Sequence, residues 1–165
     1  TLGGTDAFIM KFDSAGTRLW SKNRGGPLDD VFYGLAIDQS GNAHAAGVID
    51  RSGLYADALL EKHLGTNATA WSRQFDDVPI SGTAVAAFSV AVDALGNAIV
   101  VGTGNSYFFL RRYSPSGGPL TTASYAQSSV ATGVTVDSLG RIVICGRLID
   151  ASFTPRGFVG WITYE

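Results

Sequence analysis

The chain has 165 residues, 45% of them apolar and only 16% charged, with 21 glycines and a formal net charge of −2. That length allows a sizeable core in one domain, and low charge with many glycines and scattered aromatics favours strands over helices. The charge balance excludes nucleic acid and anionic membranes as electrostatic partners, no apolar run approaches the ~20 residues of a membrane span, and TLGGTDAFIM carries no signal-peptide pattern.

In chain order, two kinds of hairpin phrase alternate. DAFIMKFDSAGTRLWSKN from Asp6 comes first, then GLAIDQSGNAHAAG over residues 34 to 47. DALLEKHLGTNATAWSRQ from Asp57, SVAVDALGNAIVVG from Ser89 and YFFLRRYSPSGGPLTTAS from Tyr107 follow. GVTVDSLGRIVICG from Gly133 and the partial copy FVGWITYE from Phe158 complete the series. The Asp6-type phrases start 51, 50 and 51 residues apart, whereas the Gly34-type phrases are spaced 55 and 44 residues apart, so length varies in particular connectors.

Each phrase predicts two strands around a tight turn. Asp38, Asp93 and Asp137 fall in register and are placed to accept bonds from backbone N–H groups two residues on, while Gly41, Gly96 and Gly140 supply a positive φ. Asn67 stands where the other copies of its phrase carry glycine, and Asn is the next most tolerant residue of that conformation. Gly47, Gly102 and Gly146 also align. Two hairpins per ~50 residues make a four-stranded propeller blade, with strands A and B in the Asp–Gly phrase and C and D in the other. The whole of 1–165 reads as one β-propeller region of thirteen strands, about three and a quarter blades, with repeats near 1–33 (partial), 34–82, 83–128 and 129–165 (partial). Closed propellers use roughly 4–8 blades. The ring is therefore expected to be completed by other blades of a longer chain or by a homo-oligomeric partner.

GLAIDQSGNAHAAG and SVAVDALGNAIVVG resemble the SBBP-type β-propeller repeat of bacterial secreted and surface proteins, whose pattern is roughly G-I-A-V-D-x-x-G-N-x-Y-V-x-G. GGTDAFIMKFDSAGTRLWSKNRGG resembles that family's linker and outer hairpin. The departures are Arg141 for the pattern's Asn, His44 for an aromatic or aliphatic residue, and Thr121 for the outer Trp. The resemblance implies an extracellular or cell-surface location in a bacterium.

Strand order sorts the loops. The A–B and C–D turns share one end of each blade and are short; the B–C connectors (GVIDRSGLYAD, GTGNSY, GRLIDASFTPRG) and D–A connectors lie at the other and vary. Sites are usually carried on such loops, which makes Arg24, Asp29, Asp30, Arg51, Tyr55, Asp76, Asp77 and Arg156 the candidate ligand-binding residues. The pairs Asp29–Asp30 and Asp76–Asp77 both read as preceding strand A, a ring of carboxylates around the channel mouth. Their spacing is not that of a Ca²⁺ loop, and the third copy has Ser128–Ser129, so loop capping is the expected role and no metal site is assigned.

Asp38, Asp93 and Asp137, with Gly41, Gly96 and Gly140, are read as structural turn residues rather than acid–base catalysts. His44 and His63 align with apolar or aromatic residues, and Cys145 aligns with Ala46 and Val101, a buried small-residue slot. Trp20 and Trp71 share one slot, as expected for packing between blades. No catalytic residues and no cofactor are assigned.

The expected function is that of a non-enzymatic binding or display module with a protein or carbohydrate ligand. The alternatives are a lyase- or glycosidase-type enzyme segment using the propeller channel, and a lectin with one shallow site per blade.

Overall fold

The computed structural model describes residues 4–51, 55–76, 84–125, 128–149 and 155–162. Thirteen strands follow in chain order: β1 (Ala7–Phe12), β2 (Arg18–Arg24), β3 (Asp30–Ile37), β4 (Ala43–Asp50), β5 (Ala56–His63), β6 (Thr69–Phe75), β7 (Val85–Val92), β8 (Ala98–Gly104), β9 (Tyr107–Tyr113), β10 (Pro119–Tyr125), β11 (Ser129–Val136), β12 (Ile142–Ile149) and β13 (Pro155–Ile162). They form four antiparallel sheets, β1-β2, β3-β4-β5-β6, β7-β8-β9-β10 and β11-β12-β13, each a meander of sequential neighbours. This is the propeller-blade pattern, with blades one and four incomplete and no closed ring among the described residues.

The turns take the form their residues require. Gly41, Gly96 and Gly140 have φ of 76°, 80° and 78°, and Asn67 takes the equivalent conformation at 74°. The B–C connector of blade three is tighter than the variable loop expected from GTGNSY. Asn105 and Ser106, at φ 49° and 67°, make a two-residue turn of the kind that matches strand twist.

The motif's last glycine has a separate cause. Strand A of each complete A–B pair carries a bulge, between Phe32 and Gly34, Ala87 and Ser89, and Ala131 and Gly133. The bulge pushes a strand-A carbonyl onto strand B. A Cβ on Gly47 would lie 1.9 Å from the Val31 oxygen, on Gly102 1.9 Å from the Ala86 oxygen, and on Gly146 2.1 Å from the Val130 oxygen. Only glycine leaves room for that approach.

The blades stack face to face, so strands B and C are apolar on both sides and read as nearly continuous runs such as AIVV. One cluster joins Leu60, Trp71 and Phe75 of blade two to Val90, Val100 and Phe109 of blade three. A second joins Ile99, Val101 and Leu110 of blade three to Ala131, Ile142 and Ile144 of blade four. A third brings Ile9 and Trp20 of blade one onto Ala43 and Ala45. Trp20 and Trp71 also donate their indole N–H to the next blade's C–D turn, at the Gly65 and Pro115 carbonyls, both at 3.0 Å.

Cys145 departs from the expected burial. It is exposed, because it faces outward from blade four, the last sheet described, whereas Ala46 and Val101 each meet a following blade.

Gly102→Ala should cost about 2–4 kcal/mol, because the methyl must displace the bulge carbonyl. Gly157→Ala, with nothing within 4 Å of the added atom, should stay within about 0.5 kcal/mol of the parent. Urea unfolding of the two variants checks the difference.

Candidate functional site

The loop end of blade two gathers several of the candidate residues. Arg51 follows β4 and its guanidinium reaches Asp57 at the start of β5 (3.2 Å) and Asp76 just after β6 (3.1 Å). Gln74 donates to the other Asp57 oxygen at 2.7 Å. One exposed cation thus ties the B–C connector to the D–A connector, and hydrogen bonding to Asp57 pushes the Arg51 pKa up. The exposed Tyr55 lies in the same connector, its carbonyl accepting from the Arg51 N–H at 2.9 Å.

Asp29 and Asp30 do different work. Asp30 is fully buried: one oxygen accepts from the Gly26 N–H (2.6 Å) and the other from the Asp50 N–H (3.0 Å), locking two connectors together. Asp29 accepts from the Thr5 N–H at 2.6 Å, which holds its carboxyl below the usual range. Asp30 and Asp76 are not equivalent, and no repeated carboxylate ring forms among the described residues. The bulge register aligns Asp30 with Val85 and Ser129, whereas Asp76 follows strand D of blade two.

Arg24 is engaged between blades, its Nε 3.0 Å from Glu61 of β5. Arg156 lies exposed on β13, away from the Arg51 cluster in sequence and sheet, and Asp77 lies outside the described residues.

The opposite end holds an arrangement that residue spacing does not reveal. The turns of three blades converge on a recess of about 160 Å³ lined by Asp38, Asp93 and Asp137 with Ile37, Val92 and Val136. Each aspartate is fully engaged. Asp38 accepts from the Ser40 and Asn42 N–H groups, Asp93 from those of Leu95 and Asn97, and Asp137 from those of Leu139 and Arg141, at 2.8–3.0 Å.

A second oxygen of each turn aspartate takes side-chain donors. Asn42 and Lys62 serve Asp38 (2.9 and 3.0 Å), and Asn97 and Arg112 serve Asp93 (2.8 and 3.0 Å). In blade four the register puts Trp161 where strand C elsewhere carries Lys62 or Arg112, and Arg141 replaces the turn Asn. Its Nε reaches Asp137 at 2.6 Å, so one side chain supplies what two supply in the other blades. These donors hold all three carboxyls below the usual range against the opposing effect of burial. Among the described residues no group of three metal-ligating side chains comes together.

His44 sits behind Asp38, fully buried, with Nε2 3.4 Å from the carboxylate and its ring edge-on to Trp71. Burial, aided by the nearby Lys62 charge, pushes its pKa down. It is a packing residue in the slot of Ile99.

No protein-family model matches the chain. No curated protein matches it either. Among solved structures it is similar to a protein of unknown function from Bacteroides caccae, with 13% identity and a TM-score of 0.54 over 93% of this chain and 59% of that one. It is also similar to a Hadza microbial sialidase, with 13% identity and a TM-score of 0.57 over 89% of this chain and 40% of that one. At this identity the likeness shows the fold alone, an all-β, propeller-like array of antiparallel blades. The chain spans less than two thirds of the length of each of these structures.

The pH dependence follows from the buried groups. Below its ordinary pKa near 6.5, His44 gains a proton in the unfolded chain that the folded protein resists, so stability falls as pH drops through that value. The turn aspartates contribute in full above about pH 4 and lose that contribution progressively as pH falls below it towards their lower folded values. His44→Ile should flatten the urea midpoint between about pH 7 and pH 5 while leaving the acid limb in place. A parent curve already flat over that interval would contradict this account.

Proposed function

We propose that the chain is a non-enzymatic propeller segment that binds a protein or carbohydrate ligand at the end carrying the B–C and D–A connectors. The observation that carries this reading is the Arg51 clamp. It joins two connectors through Asp57 and Asp76, and the Arg51 N–H holds the carbonyl of an exposed tyrosine, Tyr55. An exposed aromatic beside a guanidinium suits stacking on a sugar face or anchoring a peptide.

Five engaged carboxylates support binding over hydrolysis. Asp29 and Asp30 are spent on backbone N–H groups, Asp57 and Asp76 on Arg51, and Glu61 on Arg24. General acid–base cleavage needs a pair of carboxyls free to exchange protons with substrate. Assignment to the SBBP-type repeat and an extracellular or cell-surface location in a bacterium belong to the same reading and rest on the three in-register A–B phrases.

A glycan array and a fluorogenic sialoside, applied to the same preparation, test it. The expected result is no turnover, with retention of an array glycan or a surface-protein ligand that Tyr55→Ala weakens about tenfold or more, as loss of an aromatic anchor does. Turnover of the sialoside, lost on replacing Asp57 or Asp76, would replace the binding reading with the glycosidase one.

A further inference from the structure

Among the described residues one edge of β1 is unpaired, and an apolar groove lies beside it. β5, β9 and β13, its counterparts in the other blades, each pair along one edge with a strand B: β4, β8 and β12. The one strand paired with β1 among the described residues is β2. A groove of about 510 Å³ runs between β1 and β3, lined by residues that include Phe8, Met10, Tyr33 and Leu35. Leu35 and Ile37 are 59% and 60% exposed, whereas Val90, which occupies the Leu35 position of blade three, is 5% exposed. Val90 shares a cluster with Ala46 of β4, and Val134 and Val136 pack against the cluster that holds Ile99 and Val101 of β8. In both cases strand B of the preceding blade supplies the cover.

Charge points to the same occupant. Lys11 holds on β1 the position of Lys62 and Arg112, each of which binds the aspartate of its own blade's A–B turn. Lys11 has no carboxylate partner in the described residues. We propose that the groove is the seat of an inner hairpin of the repeat's own A–B type, in the same polypeptide, joined to β1 through Gly4–Asp6.

Its turn aspartate binds Lys11, and its strand B covers Leu35 and Ile37. A second copy of this chain has no such hairpin to offer, since β4, β8 and β12 are already paired along both edges. The B–C connector of blade three has only Asn105 and Ser106 between its strands, so Gly4–Asp6 is long enough to join the hairpin to β1.

A synthetic peptide of residues 84–104, the chain's own A–B hairpin, provides the probe, together with a version of the chain carrying those residues fused ahead of Gly4. The peptide should bind the 165-residue chain saturably, raise its melting temperature and slow amide exchange along β1, and the fused form should do so without added peptide. An Asp93→Lys peptide should bind about tenfold more weakly, and Lys11→Glu in the chain should restore its binding. Val159→Asp, at the far end of the chain, should leave binding unchanged. No binding, with β1 exchanging equally fast in the fused form, would overturn the proposal. Slowed β1 exchange that rises with protein concentration in the chain alone would instead assign the groove to a second copy.

Discussion

The structure depends on one close approach repeated in every complete A–B pair: a strand-A carbonyl pressed onto a strand-B glycine. The bulge that causes it gives strand A an extra residue, and bulges sharpen local twist. Tyr33 and Phe88, the residues displaced by the first two bulges, meet with ring centroids 5.4 Å apart, so the same irregularity brings adjacent inner strands together. Gly34 belongs to this contact, since a side chain there would run into Ser89 and Phe88 of the neighbouring blade. Without glycines at these positions, neither the kink nor the inner packing of blade on blade is available.

Face-to-face stacking then decides what each side chain experiences. A residue in an inner strand is dry when a blade covers its face and wet when none does. Leu59 and Leu110 are fully buried, yet Phe8 is 61% and Val159 72% exposed, although Phe8 takes the strand-C position of Leu59 and Val159 that of Leu110. Exposure in this protein reflects position in the array more than sequence. The buried polar residues of blade two obey the same rule in reverse. Asp38, His44, Lys62, Glu61 and His63 lie between covered faces and survive there through mutual pairing.

Much of this was written plainly in the chain. Three phrases in register set thirteen strands and their turns, down to Asn67 standing in for glycine, because turn chemistry is local. The less legible features are relations between distant residues. The acidic pairs looked equivalent because each sits in a D–A connector, but those connectors differ in length, and only ladder register shows that Asp30 corresponds to Val85. Cys145 looked buried because its aligned residues are, and alignment carries no information about which blade lacks a neighbour. The meeting of Asp38, Asp93 and Asp137 needs three dimensions. So does the trade of Asn plus a strand-C cation for Arg141, which appears in the sequence as two unrelated departures. At the loop end, Arg51 and Asp76 were legible as candidates, while Asp57, which draws Arg51 to itself, was hidden at the start of a strand.

The two tryptophan bonds among the described residues run the same way. Trp20 reaches forward to the turn at Gly65, and Trp71 forward to the turn at Pro115, so each blade grips its successor. A pull or a spreading defect therefore meets different fastenings in the two directions: a lost blade strips its predecessor's indole of an acceptor and leaves its successor's turn carbonyl open to water. The array has a mechanical polarity along the chain, and its third full junction, with Thr121 in the indole's place, is fastened by apolar packing without that bolt.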